Sequence, residues 1–256
     1  SFFLAKRNEA EVTGIAILDK PGIEKSVGPV GPGGSHYAKE LREHHEDEAL
    51  EKIDNLLKTF NEKCESAGVI HKTEEEQGSP SKRLIDLSIY YDLLIMGFKA
   101  NYTYGEKDTV KTMDKVIDNS VTPVLAVPER FKAPTGKLNA LIAFNGSQPS
   151  ARSMHRFATM FDPTQFSVTV LVSNENLDAA HYYLNKAESF LSGHGFKDVE
   201  KKATFSSIID IVNKEYYTWA DLFVCGVHSR SELMTFFVGS LAKNLIEKGE
   251  KAVFFG

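Results

Sequence analysis

The stretch Asp221-Leu-Phe-Val-Cys-Gly226-Val-His-Ser229-Arg-Ser-Glu-Leu-Met-Thr-Phe-Phe-Val-Gly239-Ser240 decides how this chain is read. Leu222 to Cys225 is a short apolar run that stops at a glycine, the pattern of a buried strand. Gly239-Ser240 then opens a segment in which Phe237, Leu241 and Leu245 recur at helical spacing. A strand feeding a glycine loop and then a helix presents backbone amides that have no intrahelical partner, a ready anion site. Glycines let the backbone come close to such a ligand. Any strand-to-helix crossover can carry two glycines, so this segment alone leaves a purely structural role open.

A second copy of the layout lies upstream. Asp92-Leu-Leu-Ile-Met-Gly97 matches Asp221-Leu-Phe-Val-Cys-Gly226, and 226 − 97 = 129. Pro123-Val-Leu-Ala-Val127 matches Lys251-Ala-Val-Phe-Phe255, with Val124 and Val253 also 129 apart. One offset kept across an intervening helix implies duplication of a whole unit. Val12-Thr-Gly-Ile-Ala-Ile-Leu18 and Val168-Thr-Val-Leu-Val172 extend the match at an offset of 156, leaving 27 extra residues in the first copy. The insertion falls in Pro21 to Ser35, which has loop composition.

The 256 residues fit two domains, 1–129 and 137–256, joined by the linker Pro128 to Lys137. A net charge of −5 argues against a general nucleic-acid binder. No apolar run reaches the roughly 18 residues of a membrane span. Cys64 and Cys225 form no framework, and reduced thiols in a cytoplasmic protein are expected. The second copy opens with a strand, Leu138 to Phe144, and the turn Asn145-Gly146-Ser147. The first copy shows no such strand, because Phe2 to Lys6 already reads as the end of the helix that follows it. The equivalent strand is expected about 18 positions before Ser1 (12 − 30 = −18, from 168 − 138 = 30).

Strands are predicted at 11–18, 69–74, 92–97 and 123–127, with helices at 37–66, 81–90 and 109–119 between them. The second copy gives strands at 138–144, 166–173, 197–204, 221–226 and 251–255, with helices at 149–160, 177–192, 205–218 and 239–248. Alternation of this kind predicts an α/β fold of two doubly wound parallel-sheet domains. Ligands then sit beyond the C-terminal strand ends, where strand order reverses. The Asn145 turn and the Gly226 loop both lie at that edge.

These residues resemble the universal stress protein family in a tandem arrangement. Its nucleotide pattern of glycine, two residues, glycine, nine residues, glycine and a hydroxyl residue stands here as Gly226-x2-Ser229-x9-Gly239-Ser240. The middle glycine is replaced by Ser229. The family's Asp-Gly-Ser turn stands as Asn145-Gly146-Ser147, and its Glu-x-Gly-x-Pro loop as Glu76-Gln-Gly78-Ser-Pro80. The resemblance implies a flavodoxin-like sheet, a stress-response role, and ATP binding in some members, with Mg as a companion ion. Asn145 and Gly146 would hold the adenosine part, Val172 would lie against adenine, and Gly226, Ser229, Gly239 and Ser240 would meet the phosphates. In the first copy, Ala100, Val110 and Lys111 fall where glycines and serine belong, beside Glu106 and Asp108, so ATP is not expected there. The last strands of the two copies are expected to pair as a pseudo-dimer, and a homodimer stays open.

Other constellations have plainer readings. Adjacent His44 and His45 point about 100 degrees apart on a helix, which suits solvent better than one metal ion. His228 is a loop bystander before it is an acid–base group. Ser147, His155 and Asp162 lack a nucleophile elbow. Tyr182-Tyr183 and Tyr216-Tyr217-Thr-Trp219 read as helix core and rim. Two functions remain, a nucleotide-binding regulator and an interaction protein with no nucleotide. ATP hydrolysis is weaker, with no placed base or charge clamp.

Overall fold

A computed structural model describes residues 2–29, 31, 34–98, 109–131, 136–227 and 239–256. Of the residues singled out above, Ala100, Glu106, Asp108, His228, Ser229 and Phe237 lie outside those described, as do the side chains of Val110 and Lys111. The chain forms two compact units, the first running to Leu87 and taking up the chain again as far as Thr112, the second holding residues 88–98 and Met113–Gly256.

The first unit opens with α1 (Phe2–Arg7), β1 (Val12–Leu18) and α2 (Lys20–Val27). The long α3 (Ser35–Ala67), β2 (His71–Gln77) and α4 (Pro80–Ser88) follow. β1 and β2 pair in parallel, from Val12↔His71 to Leu18↔Gln77. The core joins Leu18, Ile23 and Ile53, with Ala16, Ala49 and Leu57 packed around them. Helix α2 corrects the expectation of a loop from Pro21 to Ser35. The Asp19 carboxylate accepts from the Gly22 amide at 3.0 Å, and Pro21 occupies the first turn. An acidic cap and a first-turn proline start a helix where composition alone suggests a break.

The second unit holds β3 (Leu94–Gly97), β4 (Val124–Val127), β5 (Leu138–Ala143), β6 (Phe166–Ser173), β7 (Val199–Thr204), β8 (Leu222–Cys225) and β9 (Ala252–Phe255). They form one sheet in the order β3-β4-β9-β8-β5-β6-β7. All its pairings are parallel except β4 with β9, which run antiparallel from Val124↔Phe255 to Ala126↔Val253. The expected pairing of the two last strands is therefore present. Among its helices, α5 (Thr109–Asn119), which belongs to this unit from Met113 on, precedes β4, α6 (Gln148–Met160) packs on β8 and β9, and α7 (Leu177–Gly193) packs on β6 and β7. The helix expected at 205–218 is instead a short α8 (Ile208–Ile211) that widens into a π turn over Val212–Tyr216. Finally α9 (Ser240–Lys248) leads into β9 and packs against it.

Phe157 of α6 is fully buried at the centre of an aromatic cluster. Its ring centroid lies 5.1 Å from Phe161, 5.2 Å from Phe166 and 5.4 Å from Phe196. Burying rings of this size, at tilted or edge-on angles, fixes α6 on the sheet. The helix start is thereby fixed as well.

The duplication appears in the ladders with one adjustment. Leu94↔Val124 opens one pairing and Leu222↔Ala252 the other, so both members lie 128 positions apart (222 − 94 and 252 − 124), not 129. Gly97 is the last residue of β3, whereas Gly226 lies one past β8. Aligning the two glycines slips the register by one. The first copy's strands are divided between two sheets, and among the described residues β3 has no neighbour on the edge where its counterpart β8 holds β5.

Candidate functional site

In the second unit, strand order reverses between β5, whose chain continues to β6 and β7, and β8, which continues to β9. A cavity of about 240 Å³ lies there, beyond the C-terminal ends of β5, β6 and β8. Such a switch point is where open parallel sheets take ligands. Four of the expected site residues, Asn145, Gly226, Gly239 and Ser240, line it together.

The turn after β5 is held by its own side chains. Asn145 Oδ1 accepts from the Ser147 amide at 3.1 Å and from the Ser150 hydroxyl at 2.8 Å. Ser147 caps α6 by accepting from the Ser150 amide at 3.4 Å. With Oδ1 occupied, Asn145 has its two Nδ2 hydrogens to offer, so it is a donor where an aspartate would be an acceptor. Gly146 does not line the cavity. It has φ +75°, and a Cβ there would meet the Tyr183 ring at 2.5 Å. Glycine is required by backbone conformation and by packing at once.

Two helix starts face the space. Pro149 and Ser150 come from the first turn of α6, and Ser240, Leu241 and Ala242 from that of α9. The first bond of α9 runs from the Lys243 amide to the Gly239 carbonyl at 3.0 Å. The amides of Ser240 to Ala242 precede it and have no intrahelical acceptor. Gly226 is pressed against α6: a Cβ there would lie 2.6 Å from the Ser150 nitrogen and 2.7 Å from the Pro149 carbonyl carbon. Gly239 is different. Its φ is −54°, and the nearest described atom to a Cβ is the Gly226 oxygen at 4.0 Å.

Val172 departs from expectation. It is fully buried in β6, and the next residue, Ser173, turns to the cavity because neighbouring strand side chains point to opposite sides. The Ser173 hydroxyl donates to the Ser206 carbonyl at 2.7 Å. Sequence reasoning also missed Ser150 and Cys225. Period-two alternation from the buried Val172 points to Ser173, and the serine three residues after the cap points to Ser150. Cys225 is buried, and burial pushes its thiol up to about 12, so it stays protonated and is no nucleophile at neutral pH. Ser153 ties the floor together, its hydroxyl 2.8 Å from the Cys225 carbonyl and 2.9 Å from that of Gly256. Among the described residues, the lining carries no charged side chain.

The remaining constellations are engaged elsewhere. His44 lies 3.4 Å from Glu48, and His45 Nδ1 lies 3.2 Å from the Ser26 hydroxyl. His155 stacks on Phe190 at 3.9 Å, Asp162 accepts from the Thr164 amide, and Ser147 caps α6, so these three share no site. Tyr183 lies edge-on to Phe144, and Tyr216 edge-on to Trp219.

No protein-family model matches the sequence, and no curated protein matches it. Solved structures do. A universal stress protein from Archaeoglobus fulgidus superimposes with a TM-score of 0.67 at 19% identity, over 99% of this chain and 89% of its own. A putative universal stress protein from Pseudomonas aeruginosa gives 0.53 at 12%, over 94% and 91%. The cytoplasmic domain of a prokaryotic cation chloride cotransporter gives 0.51 at 12%, over 96% and 84%. The chain has the α/β fold of tandem universal stress proteins, as its motifs led us to expect.

Proposed function

We propose that this chain is a regulatory protein of the universal stress type that holds one adenine nucleotide, ATP with Mg, in its second half. The observation that carries the proposal is convergence. The Asn145 turn and both described ends of the Gly226–Gly239 loop line one cavity, and among the described residues no atom crowds Gly239. Asn145 Nδ2 and the hydroxyl of Ser173 suit a base or ribose, and the Ser240 hydroxyl a phosphate oxygen. The amides at the start of α9, which have no partner among the described residues, suit phosphate. In the duplication reading, residues 1–129 form one domain and 137–256 the other, and the first holds no nucleotide. The role assigned is holding the nucleotide. Among the described residues, no helix is long and apolar enough to cross a membrane.

The uncharged lining favours a second reading, an interaction protein whose pocket takes no polyphosphate. The same fold serves a transporter's cytoplasmic domain, so architecture cannot choose between the two. Denaturing the purified protein and analysing the supernatant for adenine nucleotides, followed by calorimetry with ATP and Mg, separates them. The proposal expects one ATP per chain. Two per chain refute the assignment to the second half, and none supports the interaction protein.

A further inference from the structure

Two backbone groups set the direction of hydrogen bonding at the cavity. A backbone amide can only donate, so the Ser147 amide, 3.1 Å from the Asn145 side chain, fixes which end of that side chain is oxygen. The Ser150 hydroxyl meets the same oxygen at 2.8 Å. That leaves Nδ2, which has no hydrogen-bond partner among the described residues. A backbone carbonyl can only accept, so the Ser206 carbonyl, 2.7 Å from the Ser173 hydroxyl, takes its one proton. Towards a ligand, Asn145 is a fixed donor and Ser173 a fixed acceptor, and both line the cavity.

The polar atoms of an adenine edge each have one role, a ring nitrogen accepting and the amine donating. A sugar hydroxyl does both. A ribose diol therefore answers both preset partners, one hydroxyl accepting from Asn145 and the other donating to Ser173. The first hydroxyl then keeps a proton that Asn145 does not use. Replacing that proton by a substituent removes nothing Asn145 needs, because the oxygen still accepts. Asn145 is exposed, so a substituent there has solvent to enter.

We infer, resting on the nucleotide reading, that the cavity also takes adenine nucleotides in which one ribose hydroxyl is blocked, with the blocked oxygen accepting from Asn145 Nδ2. Asn145 is thereby the residue that sets this tolerance. A carboxylate in its place would be an acceptor facing an acceptor, and would turn the same ligands away.

The test is calorimetric titration of the parent and of Asn145→Asp with ATP, 2′-O-methyl-ATP and 3′-O-methyl-ATP, each with Mg. Aspartate keeps an oxygen for the Ser147 amide and the Ser150 hydroxyl, so the turn is retained and only the group left for the ligand changes from donor to acceptor. The parent should bind one methylated nucleotide within about threefold of ATP, and the other more weakly because it no longer donates to Ser173. Asn145→Asp should bind ATP, yet hold the analogue that the parent tolerates about tenfold or more below ATP. Rejection of both analogues by the parent, or the same tolerance in both proteins, overturns the inference while ATP binding stands. No ATP binding by the parent overturns the nucleotide reading, and the inference with it. If Asn145→Asp fails to fold or to bind ATP, the Nδ2 protons of Asn145 in the parent decide by NMR. Their resonances should move downfield with ATP and with the tolerated analogue alike, and unmoved resonances overturn the inference.

Discussion

Gly226 and Gly239 bracket one loop, yet replacing them should have opposite consequences. A methyl group at Gly226 would lie 2.6 to 2.8 Å from three backbone atoms of Pro149 and Ser150. Carbon contacts are comfortable near 3.5 Å, so α6 or the end of β8 must move by roughly 0.7 Å or more. No rotamer change relieves a clash with backbone. Overpacking of this kind costs about 1–3 kcal/mol, and for a chain of this size each kcal/mol lowers Tm by about 2–4 °C. Gly226→Ala should therefore melt about 2–12 °C below the parent. It should also lose the ligand, because Ser150 is displaced and its hydroxyl holds Asn145. Among the described residues, a Cβ at Gly239 has only the Gly226 oxygen within reach, at 4.0 Å. Gly239→Val should cost no more than about 1 kcal/mol as a poorer helix cap, and abolish nucleotide binding by filling the space before the α9 amides. Thermal denaturation followed by circular dichroism, with calorimetric titration of ATP, reads both effects. A Gly226→Ala protein melting within about 1 °C of the parent would refute the packing argument. Undiminished ATP binding by Gly239→Val would refute the site.

Three further outcomes follow from charge and burial. Burial raises the Cys225 thiol from 9.0 to about 12, so the unfolded chain ionises first and stability falls as pH rises from 9 towards 12. Urea titrations should show a shallower alkaline decline for Cys225→Ala, with a remainder from Tyr216 and Tyr217, whose hydroxyls are also raised chiefly by burial. Asp118 has two buried oxygens without a hydrogen-bond partner among the described residues, and burial, then Asp114, raises its carboxyl. Its charged form is penalised in the fold, so Asp118→Asn should stabilise at neutral pH, with the gain fading as pH falls through the carboxylate range. Val110→Ala should leave ATP affinity nearly unchanged by calorimetry, since the proposed ligand lies in the other half.

The alternation of apolar runs and amphipathic stretches carried the fold, because a parallel sheet buried on both faces needs short continuous strands such as Leu222 to Cys225. What it could not carry were features set by single contacts. Helix α2 rests on the Asp19 cap, which turns Pro21-Gly22 from a break into a first turn. The π turn at Val212–Tyr216 leaves hydrophobic spacing almost untouched, so periodicity passes over it. The slip from 129 to 128 has another origin. Glycine was taken as the fixed point, yet Gly97 serves inside a strand and Gly226 after one.

The site was legible for a similar reason, and with a similar limit. A glycine spacing motif sums several physical demands that sequence cannot separate. Gly146 must be glycine for its positive φ and for Tyr183, with or without a ligand. Gly226 must be glycine because α6 passes against it. Neither residue, one in the turn and one in the motif, says that a nucleotide binds. Gly239 is left over: its backbone angles suit any residue, and no described atom crowds it. A helix cap with free amides would be better served by serine, threonine, asparagine or aspartate, whose side chains satisfy the first turn. Under the proposed function, a cap glycine that gives those amides no side-chain partner leaves room for a ligand to meet them. The functional signal of the motif therefore rests on this one glycine, and that is why Gly239→Val is the decisive substitution.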